Sequence, residues 1–415
     1  MDASHDWHPR HATAPLKTAL ADTPVVCLLG PRQSGKSSLV RRAFPERAYC
    51  SFDDANILEA AAADPAGFVA QLPATVTLDE VQRAPAILPA IKLSVDRNRR
   101  AGRFLLTGSA NLLLLPSVSE SLAGRMEVVG LHPLTEAEKE GKPGRLLAAL
   151  LQGILKPRLS GTPADPENLS DRLLRGGYPE AMRRPQLMRV RQWHRSYVEA
   201  LMERDARDVA NLRNLDHLAR LLTLLALQTA QLLNVETLAR QLAIRRETVQ
   251  HNFAALERLF LVRTLPAWHT NDARRLIKAP KVHLVDSGLA ATLAGARAED
   301  WLTHRERLGH LLESFVVQQL VAQAGWTDPD LRFWHYRDKD QVEVDLVITR
   351  GRETWGVEVK AGATVTGGGG LGLKRLADRC GKDFRGGVLL YGGTSTFTMA
   401  DPRMFAVPLM DLWTR

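Results

Sequence analysis

In the first third of the chain, apolar positions come in short runs rather than in alternation. TPVVCLLG (23–30) is almost wholly apolar and β-favouring, and GKSSLVRRAF directly behind it has helical spacing. RAYCSFDD, TVTLDE and RFLLTG follow at intervals that leave room for helices. Strands apolar on both sides and separated by helices predict a parallel sheet covered on both faces. Near 141–168 the pattern breaks into a Gly- and Pro-bearing stretch, GKPG…SGTPADPEN. From Leu173 to about Leu265 the apolar spacing is mostly helical, and from about Gly309 the helix HLLESFVVQQLVAQ leads into strands at FWHYR, VEVDLVIT and TWGVEVK. Four parts are therefore expected: an α/β core over 1–140, a linker or insertion over 141–172, a helical region over 173–300 and a second α/β region over 301–415. GGGG at 367–370 reads as a flexible loop, and no repeat of solenoid period is present.

Length and composition fit this division. A chain of 415 residues exceeds one ordinary core, and 45% hydrophobic with 24% charged residues is the balance of a soluble globular protein. LLTLLALQTAQLL (221–233) is too short to span a bilayer, and MDASHDWHPRH at the start has no apolar signal core. Three widely spaced cysteines suggest reduced thiols, so a cytoplasmic protein without a membrane partner is expected. The net charge is +9, and residues 171–290 hold 20 Lys and Arg against 12 Asp and Glu. That surplus in the middle would attract a polyanion such as nucleic acid.

The sharpest chemical signal is GPRQSGKS at 30–37, which fits G-x-x-x-x-G-K-[ST] between an apolar strand and a helix. Gly30 and Gly35 permit backbone conformations that let amides face a phosphate, with Pro31, Arg32, Gln33 and Ser34 completing the loop and Ser38 following it. Lys36 would reach the β- and γ-phosphates of ATP, and Ser37 would hold Mg²⁺. TVTLDE (75–80) is an apolar strand ending in two acids, where Asp79 would complete the Mg²⁺ shell and Glu80 would activate water. Alone, Asp79 and Glu80 read as a solvated strand end; with the phosphate loop they predict ATP binding and hydrolysis. RFLLTGSANLL adds a strand ending in Thr107, Ser109 and Asn111, where Ser109 or Thr107 would sense the γ-phosphate or simply cap the next helix. Arg125 follows, as a finger toward a neighbouring subunit's nucleotide or as one more solvated arginine.

GPRQSGKSSL, TLDEVQRAP, LLTGSANLLL and LAGRMEVVGLHPLTEAE resemble the AAA-type predicted ATPases of bacteria and archaea that carry a conserved C-terminal domain of unknown function. The resemblance runs through LRGGYPEAM, YVEALMERDARDVANL, VHLVDSGLAATL and LLESFVVQQL to EVDLVITRGRETWGVEVK. It implies an α/β P-loop NTPase core, a helical winged-helix-like middle and an α/β C-terminal domain similar to restriction-endonuclease-like folds. It also admits a homo-oligomer joined through the ATPase core.

Two further patterns bear on function. In NVETLARQLAIRRETVQHNFAALERLFLVRTL (234–265), two amphipathic helices flank a short break, with a β-favouring tail. That is the helix-turn-helix pattern, and Arg245, Arg246, Thr248, Gln250 and His251 would face DNA at the start of the second helix. The same unit also serves elsewhere as a spacer. The stretch 197–211, with Glu203, Arg204, Asp205 and Arg207, reads as a charged helix face.

In VEVDLVITRGRETWGVEVKAG (342–362), strict alternation would put Val342, Val344, Leu346 and Ile348 on one face and Glu343 and Asp345 on the other. Val357 and Val359 would point inward on the second run, with Glu358 and Lys360 outward. Asp345 followed 13 positions later by Glu358-x-Lys360 is the arrangement of endonuclease-like sites, whose carboxylates bind Mg²⁺. Glu313 would complete that metal shell, and His335, Tyr336 and Arg337 could contact a nucleic-acid backbone. The plain alternative is an amphipathic surface hairpin. The sequence thus predicts an ATPase coupled to a nuclease-like domain acting on nucleic acid, or an ATP-switched DNA- or protein-binding regulator whose C-terminal domain only docks.

Overall fold

Val25–Leu29, the strand ahead of the phosphate loop, is buried at every position. It is β1 of a five-stranded parallel sheet that also contains β2 (Ala48–Ser51), β3 (Val76–Asp79), β4 (Phe104–Gly108) and β5 (Met126–Gly130), in the order β2-β3-β4-β1-β5. The computed structural model describes residues 7–109, 122–159, 166–203, 215–269, 278–300, 305–365 and 369–415. Asn111 and the charged positions Arg204, Asp205 and Arg207 lie outside them.

Because β1 is covered on both sides, its residues divide by parity. Val25, Cys27 and Leu29 pack in one core with the helices Ala55–Ala63, Pro65–Gln71 and Ile87–Arg97. Val26 and Leu28 pack in another with Thr13–Asp22 and the phosphate-loop helix Lys36–Ala43. A run apolar at every position is what such a strand requires.

After β5 the chain enters a larger core that runs from Ala137 to Trp413. The stretch read as a linker contains the helix Leu146–Leu151, whose Leu146, Leu147 and Leu150 are buried in that core. Helices Pro166–Arg175, Pro179–Met182, Leu187–Glu203 and Leu215–Leu227 follow. Val235–Leu242 and Arg246–Arg258 come next, joined through Ala243 in a left-handed turn. A three-stranded antiparallel sheet of β6 (Gln231–Leu232), β8 (Lys281–Leu284) and β7 (Val262–Leu265) lies alongside, and Asp286 caps the helix Ser287–Leu293.

The C-terminal part opens with the long helix Arg305–Thr327 and builds a mixed six-stranded sheet in the order β13-β14-β12-β11-β10-β9. Its strands are β9 (Arg332–Arg337), β10 (Glu343–Arg350), β11 (Glu353–Lys360), β12 (Phe384–Tyr391), β13 (Phe397–Thr398) and β14 (Met404–Pro408). The helix Leu371–Cys380 connects β11 to its parallel neighbour β12. The fold is thus α/β with a parallel P-loop-type sheet and a separate mixed sheet.

One feature of β10 departs from strict alternation. Its register against β9 shifts between Val344 and Val347. Val344 and Val347 therefore share the core beneath the helix Leu371–Cys380, while Leu346 and Ile348 face the core of the long helix. The extra residue of a bulge reverses which face each later side chain meets, and a period-2 reading cannot foresee it.

No described helix is long and apolar enough to cross a membrane.

Candidate functional site

The phosphate loop leaves β1 between the ends of β4 and β5, and its shape follows from two close approaches. A β-carbon at Gly30 would sit 2.0 Å from the Leu131 carbonyl oxygen, so only glycine fits there. Gly35 adopts φ 97° as it caps the helix Lys36–Ala43, a conformation that side chains disfavour. Gln33 holds φ 59° within the loop, and Ser34 Oγ is buried with no hydrogen-bond partner among the described residues. Lys36 is buried, and its ammonium donates to the carbonyls of Gly30 (3.0 Å) and Pro31 (2.9 Å).

Asp79, at the end of β3, is separated from β1 by β4, yet its carboxylate reaches the loop. Ser37 Oγ lies 3.1 and 2.9 Å from its two oxygens, and the hydroxyls of Tyr49 and Thr107 also donate to it. Burial and the bond to Asp79 push the Tyr49 phenol up to about 12. Glu80 follows in a left-handed backbone, φ 59°. Its amide donates to Thr107 Oγ1 (3.2 Å), and its carboxylate accepts from Ser109 Oγ (2.8 Å) and from Gln82 Nε2. Thr107 therefore serves Asp79 and Ser109 serves Glu80. The motif gave no signal for Gln82.

A cavity of about 580 Å³ opens over these groups. Arg32, Gln33, Gly35, Lys36, Ser37, Ser38 and Glu80 line one side, with Trp7, His8 and Arg10 from the N-terminal segment. The opposite wall comes from the helical region: Pro179, Glu180, Arg183, Arg184 and Trp193. LRGGYPEAM was recognisable as a motif, but nothing in its residues places the arginines that follow it across from the phosphate loop. Arg125 lies at the far end of the sheet, where β1 and β5 begin, and grips Asp96 with Nε (2.5 Å) and Nη2 (3.1 Å).

The second predicted cluster is arranged otherwise than the hairpin suggests. Lys281 Nζ on β8 lies 2.7 Å from Glu313 of the long helix and 3.3 Å from Glu343, which also pairs with Arg337 at 3.0 Å. Asp345, at the bulge, accepts from the Val359 amide at 2.7 Å. Burial, with the Glu313 charge adding to it, pushes Asp345 up to about 7.

Glu358 is buried and points toward the helix Leu371–Cys380, where the Leu373 amide donates to it at 2.8 Å and the Gly370 and Gly372 amides add to the hold. A β-carbon at Gly372 would come within 2.5 Å of that carboxylate. Burial still leaves the Glu358 pKa raised, against the pull of those amides. Lys360 is exposed. His335 and Tyr336 are buried, His335 Nε2 lying 3.2 Å from the Ala279 carbonyl, so neither faces outward toward a nucleic-acid backbone. No three His, Cys, Asp or Glu side chains converge as a metal-holding group among the described residues.

The profile of the AAA domain family matches residues 22–139. Profiles of two domains of unknown function follow, DUF8612 over 166–300 and DUF4143 over 308–412. The uncharacterized protein Rv2008c of Mycobacterium tuberculosis is 32% identical over 357 residues, which span 86% of this chain and 74% of that protein. The uncharacterized protein Mb2031c of Mycobacterium bovis matches to the same extent. Among solved structures, the Walker-type ATPase PABY2304 of Pyrococcus abyssi aligns over 70% of this chain and 97% of its own, at a TM-score of 0.45 and 17% identity. AMPPCP-bound DnaA of Aquifex aeolicus aligns over 59% and 86%, at 0.28 and 15%.

Proposed function

The chain belongs to the family of its mycobacterial relatives, as an AAA-type predicted ATPase with a C-terminal domain of unknown function, and from that premise we propose that it is a Mg²⁺-dependent ATPase. The observation that carries the reading is Ser37 Oγ against the Asp79 carboxylate, where Ser37 lines a cavity together with the phosphate loop. A hydroxyl at the start of the helix Lys36–Ala43 and a carboxylate at the end of β3, brought together, fit a hard divalent cation, which prefers oxygen ligands. Ser37 and Asp79 would hold Mg²⁺, and the ion would neutralise charge on the phosphates.

The remaining steps fall to the chain's own groups. Lys36 leaves the carbonyls of Gly30 and Pro31 for the β- and γ-phosphates. Glu80, held in place by Ser109 and Gln82, orients the attacking water and accepts its proton. Arg183 and Arg184 add positive charge from the helical wall, so occupancy of the site is felt outside the ATPase sheet. Turnover of ATP with Mg²⁺ should be lost in Lys36→Ala, and unchanged hydrolysis in that variant would sink the assignment.

For the C-terminal domain the geometry favours docking over strand cleavage. The Lys281 ammonium sits between Glu313 and Glu343, in the place a cation would take beside Asp345, and Glu358 is engaged by a helix N-terminus. We propose DNA as the partner of the helices Val235–Leu242 and Arg246–Arg258, taken with their antiparallel strands as a winged helix. Arg245, Arg246, Gln250 and His251 are exposed at the start of the second helix. Metal-dependent cleavage of plasmid or linear DNA by the purified chain would overturn the docking reading.

A further inference from the structure

A loop that turns its amides inward onto a phosphate must turn its carbonyls outward, and each buried carbonyl then needs a donor on the outside. In this chain two such donors come from beyond the motif. Arg10, buried in the N-terminal segment, donates from Nη1 to the Ser34 carbonyl at 2.7 Å. Tyr197, on the helix Leu187–Glu203, places its hydroxyl 3.1 Å from the Arg32 carbonyl. That hydroxyl also lies 3.3 Å from the Tyr178 hydroxyl. A carbonyl can only accept, so the Tyr197 proton goes to Arg32 and Tyr178 supplies the donor of the second contact.

The two braced carbonyls flank Gln33, the non-glycine loop residue that stands at φ 59°. Left-handed backbone costs a non-glycine residue on the order of 1–2 kcal/mol. It persists where the surroundings over-determine it.

Both braces are themselves held. Arg10 also donates to the His132 carbonyl (2.6 Å) and to Glu138 (3.1 Å), so its guanidinium has one available orientation. Glu138 caps its own short helix through Thr135, and it stays below the usual carboxylate range because Arg10 and the amides of Thr135 and His11 outweigh the cost of its burial. The Tyr197 ring is stacked on Trp193 at 5.0 Å and 12° and packed against Tyr178 at 4.9 Å.

We infer that Arg10 and Tyr197 are positioning residues for the nucleotide: they hold the outward carbonyls of Ser34 and Arg32 so that the loop's amides face the phosphates. Through Tyr197 the helical region sets the affinity of the ATPase site. This rests on the reading of the loop as a nucleotide site, and the test separates the two.

The decisive variant is Tyr197→Phe, which removes one hydroxyl and keeps the stacked ring. Losing one hydrogen bond predicts a rise of about three- to tenfold in KM for ATP and in the dissociation constant for ADP, with kcat at saturation within about twofold of wild type. Arg10→Lys cannot span Ser34, His132 and Glu138 at once and should weaken binding by about tenfold or more. ADP titration of the full chain by calorimetry, steady-state ATPase kinetics and a thermal melt read the outcome. A merely structural role would lower the melting temperature and leave KM in place. Unchanged KM and ADP affinity in Tyr197→Phe, beside a wild type that binds ADP, overturns the brace alone. A wild type that binds neither ADP nor ATP overturns the nucleotide reading and the brace with it.

Discussion

Glu358 separates two uses of one carboxylate, because a metal ligand and a helix cap respond oppositely to truncation. Its side chain accepts from the Leu373 amide at 2.8 Å, at the first turn of the helix Leu371–Cys380. Glu358→Ala leaves that amide without an acceptor. A hydrogen bond to a charged group contributes about 1.5–3 kcal/mol. The side-chain carbon lost from a buried site adds roughly 0.8 kcal/mol per methylene. The raised pKa of Glu358 records a burial cost that partly offsets these gains, which leaves a net loss of about 1.5–3 kcal/mol.

In a chain with several cores this loss falls on the local opening of one helix, not on a single unfolding transition. At a factor of ten per 1.4 kcal/mol, amide protection over 371–380 should fall by about 12- to 140-fold, read by hydrogen exchange with mass spectrometry. Glu358→Gln keeps a carbonyl for the Leu373 amide and sheds the buried charge, so its protection should stay within about tenfold of wild type. Unchanged protection in Glu358→Ala would refute the cap.

Two other outcomes are expected. The Asp345 carboxyl titrates near 7 in the folded chain against roughly 3.9 unfolded, so its contribution to stability is full below the unfolded value and lost as pH rises through 7. Asp345→Asn should therefore gain on wild type by about 1–3 kcal/mol between pH 5 and pH 8 in the local opening of β10 and β11, read by hydrogen exchange, and parallel curves would contradict this. At the exposed start of the helix Arg246–Arg258, replacing Arg245 and Arg246 by Ala should weaken duplex DNA binding and lower its salt slope by up to about two, while equal slopes would remove this surface from the DNA account.

What the sequence made legible had local causes. β1 is apolar at every position and β3 is buried at every position because both faces of their sheet are covered, and GPRQSGKS is contiguous, so the loop and its Asp79 partner could be read without coordinates. The paired helices Val235–Leu242 and Arg246–Arg258 and the long helix likewise follow from spacing within single segments.

What stayed hidden depends on distant contacts. Arg10 meets Glu138 across 128 positions and Tyr197 meets Arg32 across 165, and no single motif contains both members of either pair. Nothing in the short run around Lys281 names Glu313 as its partner, and it is the placement of β8 that brings the two together. The bulge in β10 turned Leu346 away from Val344, and burial withdrew His335 and Tyr336 from the surface. Each of these is a packing outcome, set by neighbours that one-dimensional spacing does not name.

The most direct test of the central claim is Glu80→Gln, assayed for ATP binding and for phosphate release in Mg²⁺. The hydrogen bonds of Glu80 to Thr107, Ser109 and Gln82 lie outside the phosphate loop, so the amide should leave binding near the wild-type value. Loss of a general base should lower turnover by about 100-fold or more. Tight ATP binding with turnover nearly abolished is the predicted result; turnover equal to wild type would contradict the account.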